Sequence, residues 1–231
     1  MKKIRLLTVL FDTEIASHEI PAFRGAVIQK VGTDNVAFHN HLKGNTFLYR
    51  YPLIQYKQIG RKPCIMCVEH GVDEIHKFFE KKDWDIIISN RRLEMTISRL
   101  NLNQYTMQVW DKMFDYSIQN WIALNSDNYR KFQHIESLSE RVTFLENTLK
   151  ANILSFAKGI EWTVDKEIKV SINEIIRQRK AKVKGSLLTG FDIQFRSNVF
   201  IPPNLGLGKS VSLGYGVVRS LKNLHRNNEN N

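Results

Sequence analysis

Residues 47–69, FLYRYPLIQYKQIGRKPCIMCVE, decide how the first half of the chain is read. Segments 47–59 and 63–69 are rich in aromatic and β-branched residues, and Gly60-Arg61-Lys62 between them suits a turn, which predicts a β-hairpin. Upstream, a polar stretch at 32–44 separates the hairpin from 19–30, where Ile20, Phe23, Val27 and Ile28 fall at helical spacing. Pro21 sits there where a first turn tolerates it. Further upstream, 4–11 is a short apolar run suited to a buried strand. Downstream, Val72, Ile75, Phe78 and Phe79 line one face of a helix opened by Gly71, and 85–89 with 93–100 restore extended chain. The order is β-α-β-β-α-β, the split βαβ or ferredoxin-like unit, with two helices on one face of a four-stranded antiparallel sheet. Its open face is one that RNA-recognition modules use.

From about residue 101 the composition changes. Segment 105–114 reads as extended, and Ser137-Leu138-Ser139-Glu140 is a capping-box pattern. It opens a helix whose apolar stripe is Leu138, Val142, Leu145, Leu149, Ile153 and Phe156, with Gly159 as its stop. Ile168, Val170 and Ile172 alternate, as do Phe191, Ile193 and Phe195, and Lys184-Gly185-Ser186 suits the turn between two strands. The division expected is an N-terminal domain at 1–101, carrying a histidine-bearing loop, and a C-terminal α+β domain at 102–231.

The 231 residues are 42% hydrophobic and 25% charged, which excludes disordered and collagen-like classes. Lys and Arg number 34 against 23 Asp and Glu, a net charge of +11 that points to a polyanionic partner. From Arg177 onward ten basic residues face only Asp192 and Glu229. The densest run, Arg177, Arg179, Lys180, Lys182 and Lys184, leads into the expected hairpin turn, where it can neutralise phosphates or keep a strand edge solvated. No uncharged apolar run approaches the roughly 18 to 20 residues of a membrane span. Cys64 and Cys67 are too few for a disulfide framework, so a reducing cytoplasm and no membrane partner are expected. Three-residue spacing on a strand sends the two thiols to opposite faces, which suits packing rather than a metal site.

The segment Pro202-Pro203-Asn204-Leu205-Gly206-Leu207-Gly208-Lys209-Ser210 resembles a nucleotide loop but fails its tests. A P-loop needs glycine where Pro203 stands, and a dinucleotide fingerprint needs one at Val211. The pattern is instead Gly206-Leu207-Gly208, five residues, then Gly214-Tyr215-Gly216. It permits close approach to a sugar-phosphate chain, with Lys209 and Ser210 as extra donors, or a glycine-rich hairpin packed on its own sheet.

His39 and His41 lie two apart in the polar stretch. An H-x-H-x-D-H metal motif would need Asp at 43 and His at 44, where Lys43 and Gly44 stand, so no metal or other cofactor is expected. What suits the pair is metal-free acid and base work, one imidazole accepting a proton and the other giving one; two surface loop histidines are the plain alternative.

Together these pieces resemble the repeat-RNA endoribonucleases of CRISPR systems, the Cas-six family of the RAMP superfamily. The residues that carry the likeness are Phe38-His39-Asn40-His41-Leu42, then Tyr49-Arg50-Tyr51-Pro52-Leu53-Ile54-Gln55-Tyr56-Lys57, with Phe23-Arg24-Gly25-Ala26-Val27-Ile28 and the two glycine pairs. They are most similar to the "b" subfamily. The resemblance implies an α+β chain of two ferredoxin-like domains in tandem, antiparallel sheets with helices on one face. It implies metal-independent cleavage of precursor CRISPR RNA within repeats, by 2′-OH attack that leaves a 2′,3′-cyclic phosphate and a 5′-OH. His39 and His41 would move the protons, Tyr49 would orient the attack, and Lys43 or Lys57 would offset charge on the phosphorane. Gly206, Gly208, Lys209, Gly214 and Gly216 carry over as RNA-binding positions. A non-catalytic RNA-binding RAMP subunit of an effector complex is the alternative. Membership of such a complex and pairing of two chains are left open by the residues.

Overall fold

The computed structural model describes residues 1–39, 51–183 and 185–221. The first unit contains β1 (Lys2–Phe11), α1 (Ile20–Val31), α2 (Val36–His39), β2 (Ile54–Ile59), β3 (Lys62–Val68), α3 (His70–Glu74), α4 (His76–Phe79), β4 (Ile86–Ile88), β5 (Arg91–Leu93) and β6 (Ile97–Met107). Its main sheet is antiparallel in the order β2-β3-β1-β6, the ferredoxin-like arrangement. Period decides the packing here: alternation in β1 and β2 turns Phe11 and Tyr56 to one side, where Phe23 of α1 and Phe78 of α4 meet them edge to face.

Three details depart from expectation. The helix after the hairpin is two short pieces, α3 and α4. Segment 85–89 does not enter the main sheet: Ser89 and Asn90, both at positive φ, turn β4 straight back into β5. The fourth main strand is β6, paired with β1 as far as Lys2↔Met107, so the passage between units falls at Gln108 and residue 102 lies within β6.

The second unit contains β7 (Val109–Trp121), α5 (Ser126–His134), α6 (Leu138–Gly159), β8 (Val170–Val183), β9 (Ser186–Val199) and β10 (Val217–Ser220), with sheet order β10-β7-β9-β8. It repeats the same strand arrangement, and the chain is therefore α+β with two ferredoxin-like units in tandem. The N-cap half of the capping box forms, since Ser137 Oγ accepts from the Glu140 amide at 3.5 Å. Leu145, Leu149, Ile153 and Phe156 are buried, but Leu138 is 72% exposed, because the first turn of α6 overhangs the sheet. The short α5, capped by Asn125, has too few apolar residues to stand out in the sequence. Among the described residues no helix is long and apolar enough to cross a membrane.

One core joins the units. Ile4, Leu6, Met66 and Val68, on the face of the first sheet away from its helices, cluster with Phe156, Ile160, Leu205 and Leu207 of the second unit. The face expected to lie open for RNA is therefore closed by protein. Burying that apolar surface is worth roughly 25 cal/mol per Å², which favours a fixed seam.

Candidate functional site

The site is assembled along β2, the edge strand of the first sheet. His39 ends α2, and two groups hold it: Arg24 Nη2 donates to its carbonyl at 2.8 Å, and its Nε2 lies 2.7 Å from the Thr33 carbonyl oxygen. A ring nitrogen so close to a carbonyl must carry the proton, so the basic nitrogen of the neutral ring is Nδ1. Phe38 beside it is buried, and its carbonyl accepts from the Tyr56 hydroxyl at 3.3 Å. His41, Lys43 and Tyr49 lie outside the described residues, as does Lys184 of the basic run.

The glycine loop packs on the outer edge of the same strand. Leu205 and Leu207 are buried anchors, and Leu207 N–H donates to the Gly216 carbonyl, as does Lys209 N–H to that of Ile122. A methyl group on Gly214 would lie 2.8 Å from Ile20 Cδ1 and 3.4 Å from the Tyr56 carbonyl oxygen. Tyr56 thus meets the residue before His39 through its hydroxyl, while its backbone runs beside the glycine loop.

The glycines serve the fold. Gly208 has φ +95°, and a methyl there would sit 2.7 Å from Trp121 Cδ1; Gly216 has φ +66°, and a methyl would sit 1.9 Å from the Leu207 carbonyl oxygen. Gly206 and Gly216 are buried, and their amides donate to Gln55 and Asn120. The outward part of the loop is exposed Lys209 with half-buried Ser210, Gly208 and Gly214.

The basic hairpin reaches this loop. The Tyr215 hydroxyl donates to the Lys182 carbonyl at 3.3 Å, and Leu213 clusters with Ile122 and Val183. Arg177, Lys180 and Lys182 are exposed on β8, the edge strand of the second sheet. Arg179 differs: it is ion-paired with Asp192, which also accepts from the Asn120 amide at 2.7 Å. The polar face of the second sheet pairs Asp115 with Arg196 and Ser117 with Gln194 and Arg219, so at these positions it offers no ring for base stacking.

Two buried groups complete the site. Lys57 is 1% exposed, opposite Cys64 on β3, and its amine has no hydrogen-bond partner among the described residues. Burial pulls its pKa down to about 7, while Cys64 opposes the shift. Tyr51 and Gln55, which sequence reading did not single out as functional, hold the loop: the Tyr51 hydroxyl donates to the Gly206 carbonyl at 2.7 Å, and Gln55 Oε1 accepts from the Gly206 amide at 3.1 Å. The only signal in the sequence was their place in the Tyr-Pro-Leu-Ile-Gln-Tyr string. Both cysteines are free and buried.

Comparison with known proteins agrees with this arrangement. The Cas6b N-terminal domain matches residues 2–106 and the Cas6b C-terminal domain matches residues 108–221. The chain is similar to a Cas6b crystal structure at a TM-score of 0.86 and 29% identity, covering 95% of this chain and 100% of that one. A solved CRISPR RNA processing endoribonuclease, also Cas6b, matches at 0.72 and 24% identity with the same coverage. The uncharacterized protein MJ0978 of Methanocaldococcus jannaschii is 36% identical over 111 residues, 48% of this chain and 74% of that protein. With both of its halves matched in order and the fold shared from end to end, the chain belongs to the Cas6b family.

Proposed function

We propose that this chain is an endoribonuclease that cuts precursor CRISPR RNA within its repeats to give mature guide RNAs. The observation that carries the reading is Tyr56, on which the start of the histidine segment and the glycine loop converge. Family membership supports the substrate class, because processing of CRISPR RNA is the activity named for a solved relative.

The reaction needs little from the protein beyond alignment and proton transfer. The RNA 2′-OH stands next to its own phosphorus, so holding the strand in line supplies the proximity that a bimolecular attack lacks. One of His39 and His41 takes the 2′-OH proton and the other protonates the departing 5′-oxygen, without metal. The products are a 2′,3′-cyclic phosphate and a 5′-OH. Tyr49 orients the attack. Lys43 or Lys57 offsets charge on the phosphorane, Lys57 through its field rather than by contact, since it is buried under the loop. Lys209, Ser210, Arg177, Lys180, Lys182 and Lys184 hold the RNA backbone, and the half-buried Gly208 and Gly214 let it approach beside them.

The test is cleavage of an end-labelled repeat RNA in excess EDTA, beside the same RNA carrying one 2′-deoxy nucleotide at the cut site. The expected result is that the first is cut and the second only bound, and that His39→Ala or His41→Ala slows cutting by about 10²- to 10⁴-fold with binding retained. Binding of several repeats with no cutting would move the chain to the non-catalytic RNA-binding reading.

A further inference from the structure

We propose that Tyr51 and Gln55 are positioning residues for RNA cleavage: together they grip Gly206 across the seam between the two units and so hold the glycine loop in register with the histidine segment. The inference rests on the functional reading above and adds the device that couples its two parts.

The geometry is a closed ring of hydrogen bonds. Tyr51 OH donates to the Gly206 carbonyl at 2.7 Å, the Gly206 amide donates to Gln55 Oε1 at 3.1 Å, and Gln55 Nε2 donates back to Tyr51 OH at 2.7 Å. Both backbone groups of one loop residue are thus read by side chains of the other unit. All three residues are buried, so water cannot substitute for a lost member. Gln55 Nε2 also donates to the Pro52 carbonyl at 3.1 Å, which fixes the amide's orientation.

Tyr51 cannot drift. Its ring meets Phe156 edge to face at 5.0 Å, and its Cβ packs so close to Gly159 that a methyl group there would lie 2.5 Å away. It also follows directly on the segment that carries His41 and Tyr49 in the sequence. Gln55 stands next to Tyr56 on β2, and Tyr56 holds the turn that ends in His39, so the strand that grips the loop also holds that turn. Burial raises the Tyr51 hydroxyl far above its ordinary range, so it stays protonated and acts as donor and acceptor rather than as a base. At Gly206 there is no room for a side chain, since a methyl would lie 2.3 Å from Val211 Cγ1 and 3.2 Å from Gln55 Oε1. The close fit converts small movements of Tyr51 or Gln55 into movement of the loop.

The experiment measures single-turnover cleavage of a repeat RNA at saturating protein for wild type, Tyr51→Phe, Gln55→Leu and the double variant. Affinity for the 2′-deoxy RNA and thermal unfolding are measured beside it. Tyr51→Phe keeps the ring and its packing and removes one oxygen. The expected result is a rate about 10- to 100-fold lower in each single variant, with affinity for the uncleavable RNA nearly unchanged. The double variant should be little slower than the worse single one, because both break the same ring. A purely structural role would lower the unfolding temperature and the bound fraction while leaving the rate of the bound complex as in wild type, and that result overturns the proposal. Cutting at equal rates by wild type and Tyr51→Phe overturns the positioning role alone. No cutting by wild type overturns the functional reading and the positioning role with it.

Discussion

The hydroxyl of Tyr56 donates to the carbonyl oxygen of Phe38 at 3.3 Å, tying the helical turn that ends in His39 to the middle of an edge strand. Phe38 is itself buried, and the Tyr56 ring stands edge to face with Phe23 at 5.7 Å. The turn before His39 therefore rests on a rigid, core-packed neighbour, beside the Arg24 and Thr33 contacts that hold His39 itself.

Removing that hydroxyl separates positioning from chemistry. Tyr56→Phe keeps the aromatic packing and leaves the Phe38 carbonyl without its donor, at a cost of about 1 kcal/mol in stability. Cleavage at saturating RNA should slow several-fold and affinity should hold, because the Tyr56 hydroxyl is buried against the Phe38 carbonyl and is not part of the exposed surface. Urea unfolding together with single-turnover kinetics checks both. An unchanged rate would mean that α2 keeps His39 in place unaided.

The basic hairpin divides by geometry. Arg177, Lys180 and Lys182 are exposed, whereas Arg179 is committed to Asp192. Changing the three exposed residues to Gln should weaken RNA binding and flatten the dependence of log K on log salt by about 0.7 per lost phosphate contact on single-stranded RNA. Arg179→Gln should leave that slope nearly unchanged and lower stability, since Asp192 then loses its half-buried partner. Equal slopes for the triple variant and wild type would place the RNA elsewhere.

Much of this was legible in the sequence, because the signals are periodic or chemically specific. A short apolar run located β1, aromatic and β-branched content on either side of Gly60-Arg61-Lys62 located the β2–β3 hairpin, and the capping-box pattern at Ser137 located α6. The strand order is the one that the split βαβ pattern implies. What escaped had no period to betray it. The turn at Ser89-Asn90 depends on two positive φ angles at residues other than glycine. The closed face of the first sheet depends on Leu205 and Leu207, which lie far away in the chain. The glycine pairs read as making room for RNA or as a hairpin packed on its own sheet, and the pattern alone does not show that Gly206 and Gly216 are buried while the Lys209–Ser210 side faces out. Nor did the sequence single out Tyr51 as functional, since a tyrosine next to a proline reads the same whether or not its hydroxyl meets a backbone across a domain seam.

Lys57 gives a pH signature of known sign. Its folded pKa is about 7 against an ordinary value of 10.5, because burial disfavours the ammonium form. Between those values the unfolded chain binds more protons at this position than the folded chain does, so stability rises with pH, by at most about 1.4 kcal/mol per unit. Below about pH 7 both states are protonated and the dependence at this position ends. Cys64, pushed up to about 12 by burial, acts in the opposite direction above its ordinary value of 9, so the clean window is about pH 7 to 8.5. Over that window Lys57→Met should flatten the rise in unfolding free energy measured by urea titration. Parallel curves for the two proteins would show that Lys57 has a counter-charge when folded.

Gly216 tests whether the glycine loop is built first for the fold. Its φ of +66° strains any other residue, and a methyl group would lie 1.9 Å from the Leu207 carbonyl oxygen, a backbone atom that cannot rotate away. Leu207 N–H donates to the Gly216 carbonyl at 2.8 Å, so the clash falls on one of the contacts that close the loop, next to the bond from Val218 N–H to the Leu205 carbonyl. Gly216→Ala should therefore lower stability by more than about 2 kcal/mol and detach the hairpin tip that rests on Leu213 and Tyr215. Gly185→Ala is the matched control: it also has positive φ, at +82°, but a methyl there meets nothing within 4 Å. Its cost should be the backbone strain alone, about 1 kcal/mol. If calorimetry gives the two variants equal unfolding temperatures while Gly216→Ala alone loses RNA affinity, the glycine is there for the RNA rather than for the loop.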